Sequence, residues 1–299
     1  HGIINILSCG LWAGATVHLF AKFDIPKITA EIVAGSYNVF MAVPTIYVKL
    51  IQYFDTINAD EVQEICDGFR PMRLNISGSA ACPVKLFEQW QQLTGQVLLE
   101  RYGMAEIGMG LSNPYDGERR AGHVGQPLPG VKAQLFDEDH NRVTEEGVAG
   151  EIRIRGDNVF LEYWDNEKAT VESFRDGWFC TGDVAVVEDG YYRIMGRSSI
   201  DIIKSGGYKL SALEIEGVLL THEDIAEVAV IGVEDETWGE SVMAFIGLKD
   251  GTRLQYDDLK QWCNGKMSSY KIPKAIKIID ALPRNAMGKV TKPVLKKLL

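Results

Sequence analysis

Between residues 11 and 100 the apolar positions alternate between helical and strand spacing. The pattern predicts a short helix over residues 26–34 stopped by Gly35, a β run over 39–43, and a helix capped by Thr45 that runs to Phe54. Residues 72–76 read as a second strand. A small-residue turn follows, Ser77-Gly78-Ser79-Ala80-Ala81, and then a helix with Pro83 in its first turn, closed by Gly95. A third apolar run, 97–99, leads into Glu100-Arg101-Tyr102-Gly103-Met104-Ala105-Glu106-Ile107-Gly108, whose two glycines permit an exposed turn. Such a turn presents Glu106 at the carboxyl edge of a sheet, where open α/β sheets bind ligands. Repeated strand, turn and helix is the signature of an α/β layer structure.

Beyond residue 120 the texture changes. Gly-Pro turns at 125–130 and short runs at 131–136, 150–155, 178–180 and 191–195 predict a β-rich subdomain. The last third is different again. Ser211 and Glu214 have capping-box spacing for a helix to Leu220, 228–233 and 243–248 read as strands, and 256–266 reads as a charged amphipathic helix. The expected organisation is a large domain over 1–198 and a small α+β domain over 199–299, joined by a short hinge.

Composition narrows the function classes. A formal net charge of -10 argues against broad attraction to nucleic acid or anionic membrane, which need a basic surface. Five cysteines without C-x-x-C spacing make zinc and a disulfide framework poor readings and favour a reducing compartment. No apolar run reaches transmembrane length, and the histidines lack helical ligand spacing. The start at His1 rather than Met reads as a cut, with any targeting segment upstream.

Four further segments have chemistry-bearing residues. The turn at 77–81 allows close approach of a planar or anionic ligand, although alone it is also an ordinary βα loop. Thr181-Gly182-Asp183 reads equally as a turn in which Asp183 bonds its own backbone. Gly196-Arg197-Ser198-Ser199-Ile200-Asp201 and Ser205-Gly206-Gly207-Tyr208-Lys209 place a cation and a glycine pair at the predicted junction, or form a plain linker and tight turn. Pro283-Arg284-Asn285-Ala286-Met287-Gly288-Lys289 fails the Walker A spacing, and Lys289 alone reads as a solvated loop lysine.

In order and spacing these segments resemble the adenylate-forming superfamily of acyl-CoA synthetases, luciferases and peptide-synthetase adenylation domains. The family's Y-G-x-T-E corresponds to residues 102–106, its T-G-D to 181–183, its G-R-x-x-D junction to 196–201 and its P-R-x-x-x-G-K to 283–289. The resemblance implies an incomplete large domain, with α/β layers and a β-rich subdomain, followed by a small mobile α+β domain. It also implies an ATP-dependent, AMP-forming ligase, with coenzyme A as co-substrate. Gly78, Ser79 and Ala80 would line the adenine site with Tyr102 stacked near the base, and Gly103, Met104 and Ala105 would continue the nucleotide site. Asp183 and Arg197 would hold the ribose. Glu106 would bind Mg2+ bridging the ATP phosphates. Lys289 would reach the substrate carboxylate and α-phosphate, offsetting charge as two anions meet. Gly206 and Gly207 would face the pantetheine arm after rotation about Ser199, which stands at the family's usual Asp or Lys hinge. His1 would border the acyl site.

Residues 38–47, the E-R-Y-G-M stretch, 112–117 and 125–130 resemble malonate-CoA ligases in particular. A second substrate carboxylate needs a cation, and Arg119 is one candidate, the alternative being a surface or loop-structural arginine. Two departures stand out. The Ser/Thr/Gly-rich phosphate loop of the family would lie upstream of His1, so the chain alone is expected to be inactive. Ala105 replaces the usual threonine and supplies no hydroxyl. The leading expectation is a malonate-activating enzyme. The alternatives are a medium-chain or other short acid, or a non-catalytic nucleotide-binding relative. The implied partners are a carboxylic acid, ATP and CoA, with no nucleic acid, no membrane span and no obligate protein partner, in the cytoplasm or mitochondrial matrix.

Overall fold

The computed structural model describes residues 2–285 and 289–299. Its first sheet has five strands, ordered Val39–Ala42, Leu74–Ser77, Leu99–Met104, Gly108–Ser112 and Gln126–Pro127. The first three are parallel, with Met41 beside Ile76 and Ser77 beside Glu100, so their carboxyl ends share one edge. The last two turn back antiparallel. Helices Ile25–Val33, Pro44–Phe54, Ala59–Phe69 and Val84–Thr94 supply the apolar partner of this sheet.

The centre of that core is aromatic. Tyr47, Phe69 and Trp90 are fully buried, and Trp90 meets each of the other two edge-on at 4.8 and 4.7 Å. Their polar atoms are satisfied within the core, because Tyr47 Oη donates to the Ile76 carbonyl at 2.8 Å and Trp90 Nε1 donates to Asn75 Oδ1 at 3.1 Å. Both acceptors lie on the Leu74–Ser77 strand, so the packing also fixes the height of the turn that follows it.

Two helix starts differ from expectation. Thr45 is not a cap: the helix begins at Pro44, which fills the N1 position after an extended Val43. Helix Ala59–Phe69, absent from the predicted elements, is opened by a complete capping box in which Asn58 Oδ1 accepts the Glu61 amide and Glu61 returns the bond. Glycines end the helices as predicted, with Gly35 and Gly95 both at positive φ.

A six-stranded sheet follows, ordered Tyr191–Arg197, Trp178–Glu188, Gly150–Arg155, Lys132–Phe136 and Arg142–Val143, with Phe174–Arg175 paired to Trp178–Glu188. A third sheet is ordered Tyr208–Ser211, Ile202–Ser205, Gly239–Leu248 and Ile225–Asp235, and Ala275–Ile278 adds to Gly239–Leu248 in parallel. Helices Ala212–Leu219 and Tyr256–Cys263 bury Ile215, Leu219, Leu259 and Cys263 with this sheet's Val230, Ala244 and Ile246. The predicted box at Ser211 is only half formed. Ser211 Oγ accepts the Glu214 amide, while the Glu214 carboxylate pairs with Lys271.

The chain divides into two compact units. One takes in His1–Ala133, Ile154–Phe179 and Glu188–Arg193, and the other Gln134–Arg153, Cys180–Val187 and Ile194–Leu299. Among the described residues no helix is long and apolar enough to cross a membrane.

Glu100, on the strand Leu99–Met104, is 4% exposed. One carboxylate oxygen accepts the Gly122 amide at 3.1 Å. Burial nevertheless pushes its pKa from the ordinary 4.5 up to about 8, against the lowering effect of the Gly122 and Cys82 amides. A raised acid pKa means that the folded state holds the proton more tightly. The stability contributed by this group is therefore complete below about pH 4.5 and is lost as pH rises through about 8. Glu100→Gln keeps an acceptor for Gly122 and removes the titration. In the full-length protein, urea unfolding at pH 5 and pH 8 is expected to show a smaller loss of stability at the higher pH for the variant than for the parent. An unchanged difference would contradict the assignment.

Candidate active site

The turn at 77–81 and the turn at 104–107 follow neighbouring parallel strands, at the carboxyl edge of the first sheet. Gly78 is buried, and a Cβ there would meet Arg101 Cγ at 3.3 Å. Ser79 adopts a left-handed conformation with φ 67°, unusual for a residue with a side chain, and Ser79 and Ala80 are both exposed. Within one unit the structure sets Gly78 against Arg101, the residue before Tyr102.

The turn bearing Glu106 is built differently from the expected one. The strand runs on through Met104, and the chain reverses only over Ala105, Glu106 and Ile107, with the Ile107 amide on the Met104 carbonyl. Gly108, with φ 56°, supplies the conformational freedom. Gly103 is a strand residue, and it must be glycine for space, because a Cβ would lie 2.0 Å from the Gly108 carbonyl oxygen. A bulge between Tyr102 and Gly103 accompanies this close approach.

Three contacts from a later segment of the same unit hold the turn. Tyr163 Oη donates to Glu106 Oε1 at 2.9 Å, the Phe160 amide donates to the Glu106 carbonyl at 2.7 Å, and Asn158 Nδ2 donates to the Ile107 carbonyl at 2.8 Å. Sequence reasoning missed Asn158, Phe160 and Tyr163. The only local signal is the aromatic density from Phe160 to Trp164. Ala105 is exposed at the tip.

Glu106 is the one residue expected to hold Mg2+. Among the described residues no three His, Cys, Asp or Glu side chains converge as a metal cage. A lone, partly exposed carboxylate with one oxygen on a phenol suits an ion that takes its other ligands from phosphate and water, which is Mg2+ chemistry.

Asp183 and Arg197 lie together in the second unit. Arg197 Nε is 3.0 Å from Asp183 Oδ1, and Asp183 is 8% exposed. Thr181-Gly182-Asp183 is not the plain turn that its residues alone allow. It lies inside the eleven-residue strand Trp178–Glu188, where Gly182, at φ 72°, breaks the pleat. Thr181 Oγ1 donates to the Ile152 carbonyl at 2.7 Å and accepts the Asp183 amide at 3.1 Å, which fixes the Asp183 main chain, while Arg197 holds the carboxylate. Gly206 and Gly207, at φ 58° and 83°, form the two-residue turn between Ile202–Ser205 and Tyr208–Ser211, with Ser205 opposite Tyr208. A Cβ on Gly206 would meet the Trp238 ring at 2.7 Å.

Lys289 is exposed, and its amide donates to Asn285 Oδ1 at 3.0 Å while its carbonyl accepts the Asn285 amide at 2.9 Å. Residues 286–288 of that motif, and His1, lie outside the described residues.

Arg119 takes the loop-structural role that the sequence left open beside substrate recognition. Its guanidinium donates to three main-chain carbonyls, Val97 at 2.7 Å, Tyr115 at 3.0 Å and Pro114 at 3.3 Å. Those donors brace the loop after Gly108–Ser112 instead of forming a fork open to a second carboxylate. Arg119→Ala is expected to destabilise the full-length protein by about 1–3 kcal/mol in urea unfolding. It should lower efficiency with malonate and with a monocarboxylate of similar size in equal proportion, and a selective loss with malonate would restore the recognition role.

The family described as AMP-binding enzyme matches residues 1–164, and the AMP-binding enzyme C-terminal domain matches 214–289. The mitochondrial malonate–CoA ligase of Mus musculus is 45% identical over 326 aligned positions, covering 100% of this chain and 56% of the relative. A malonate–CoA ligase of Arabidopsis thaliana is 42% identical, covering 100% and 52%. The crystal structure of ATP-bound MatB from Rhodopseudomonas palustris superimposes with a TM-score of 0.89 at 36% identity, covering 100% of this chain and 57% of that one. The chain thus spans about half the length of the curated relatives it matches.

Proposed function

Because the chain belongs to the AMP-binding enzyme family, we infer that the full-length protein is an acid–thiol ligase. It forms an acyl-adenylate from ATP and a carboxylic acid and then an acyl-CoA thioester, with malonate as the acid. The observation that carries this reading is the pair of neighbouring parallel strands from whose carboxyl ends the turn at 77–81 and the Glu106 turn both follow. The relatives named as malonate–CoA ligases support the choice of acid.

In this reading Gly78, Ser79, Ala80 and Tyr102 receive the adenine, and Gly103, Met104 and Ala105 line the nucleotide. Asp183, its main chain fixed by Thr181 and its carboxylate held by Arg197, accepts from the ribose hydroxyls. Glu106 would hold Mg2+, and the chemistry the ion would supply there is neutralisation of phosphate charge. Lys289 supplies the positive charge as the acid's carboxylate meets the α-phosphate. Gly206 and Gly207 present backbone without side chains to the pantetheine arm, with the boundary between the large and small domains at Ser199. His1 would border the acyl site. The reading takes a reducing interior as the compartment, the mitochondrial matrix ahead of the cytoplasm, supported by five free cysteines and by relatives named mitochondrial.

Ala105 favours a second reading, a nucleotide-binding relative without turnover, since a missing donor lowers such a rate on the order of 100-fold. The test is pyrophosphate release by the full-length protein with malonate, methylmalonate, acetate and octanoate, with and without Ala105→Thr. Release with malonate foremost, increased by the threonine, is expected. No release with any acid in either form would overturn the enzyme reading, and release led by octanoate would overturn the choice of acid.

A further inference from the structure

Lys292 is 7% exposed and bridges two carboxylates, with Nζ 2.6 Å from Asp201 Oδ1 and 2.7 Å from Glu216 Oε1. Both carboxylates are themselves largely buried. A buried cluster of this kind is a poor source of stability, because desolvation offsets the Coulombic gain, and its best-attested use is to fix one arrangement among several. The arrangement fixed here is visible in what else the cluster touches.

The second oxygen of Asp201 accepts the Arg197 amide at 3.0 Å, and Arg197 in turn pairs with Asp183. Gly196 permits this, since a Cβ there would lie 2.3 Å from Asp201 Cβ. Glu216 Oε1 also accepts the Val230 amide at 2.7 Å, tying the cluster to strand Ile225–Asp235. Lys292 itself stands three positions after Lys289, at the start of the short helix Lys292–Lys296, which buries Leu295 in the same unit.

The other foot of the Lys289 segment is held in a similar way. Glu227 accepts the Leu282 amide on one oxygen and Arg284 Nη2 on the other, each at 2.6 Å. Arg284 and Val290 form a bridge, and the Thr291 amide donates to the Pro283 carbonyl at 2.8 Å. Carboxylates therefore grip the segment on both sides of Lys289. On the Lys292 side the grip continues through Asp201 to the Asp183–Arg197 pair.

We propose that Lys292 is a positioning residue, whose ion triad with Asp201 and Glu216 sets the register of the Lys289 segment against the Asp183–Arg197 pair. The proposal rests on the reading of Lys289 as the lysine of adenylate formation. Displacing a group by an ångström costs far more in rate than in fold stability, so the triad's contribution should be seen in one half-reaction.

The test compares Lys292→Met, the uncharged triple variant Asp201→Asn/Glu216→Gln/Lys292→Met, and Lys289→Ala in the full-length protein. The triple variant guards against misfolding, because it leaves no buried charge unpaired. Adenylate formation, read as pyrophosphate release, should fall on the order of tenfold in both Lys292 variants. Thioester formation from supplied acyl-adenylate and CoA should stay within about twofold. Hydrogen exchange at the Lys289 and Thr291 amides should quicken while the ladder between Ile225–Asp235 and Gly239–Leu248, apart from the Val230 amide that Glu216 accepts, keeps its protection.

A merely structural role predicts that both half-reactions fall together in Lys292→Met and that neither falls in the folded triple variant. Either result overturns the proposal. If Lys289→Ala slows adenylate formation and the Lys292 variants do not, the positioning role alone is wrong. If Lys289→Ala leaves adenylate formation intact, the reading of Lys289 fails, and the positioning role fails with it.

Discussion

Lys289→Ala in the full-length protein is expected to slow adenylate formation on the order of 100-fold or more, the loss typical of removing one positioned charge from a transition state. Thioester formation from supplied adenylate should change little. The split follows from the chemistry, because only the first step brings a carboxylate against a triphosphate. Little stability should be lost, since the side chain is exposed and the segment is held by Asn285, Arg284 and Thr291 through contacts that the lysine side chain does not make. Pyrophosphate release and urea unfolding, measured on the same preparation, check both statements. Equal loss in the two half-reactions would argue that the lysine acts on the fold.

The largest structural effect is expected at Gly103→Ala. A Cβ 2.0 Å from the Gly108 carbonyl oxygen, and 2.7 Å from Met109 Cε, cannot be absorbed by a rotamer change, because the first contact is main chain. Destabilisation of about 3 kcal/mol or more is expected, with loss of adenylate formation as the Glu106 turn is displaced. Gly108→Ala is the internal comparison. Nothing lies within 4 Å of a Cβ there, and only the positive φ resists substitution, so its cost should be nearer about 1 kcal/mol. If the two variants unfold at the same urea concentration, crowding does not explain Gly103.

The contrast between those glycines also shows what the sequence discloses. Gly35, Gly95 and the Gly206-Gly207 pair were legible because turn chemistry is local and needs only neighbouring residues. The strand Gly150–Arg155 has its predicted bounds for a related reason, being a short run of alternating apolar residues between turn signals. Gly103 was misread because its constraint comes from a strand that returns beside it. Helix Ala59–Phe69 carried its capping box in plain view, Asn58 and Glu61, but its acidic surface hid the apolar stripe of Ile65, Cys66 and Phe69. Tyr163 on Glu106 and Lys292 on Asp201 join residues 57 and 91 positions apart, and no local periodicity encodes such pairs. In the candidate site the motif residues could be named from spacing, and the residues that hold them could not.

The phenol of Tyr163 gives Glu106 one further property. A glutamate side chain left free samples many rotamers, and ordering it costs up to roughly 2 kcal/mol. Here that ordering is complete before any ligand arrives, because Tyr163, Phe160 and Asn158 already hold the turn and one carboxylate oxygen. A cation binding at the other oxygen would meet a group with little disorder left to lose. Tyr163→Phe should therefore weaken such binding through entropy, with a signature in the temperature dependence of affinity and not in the number of ligands.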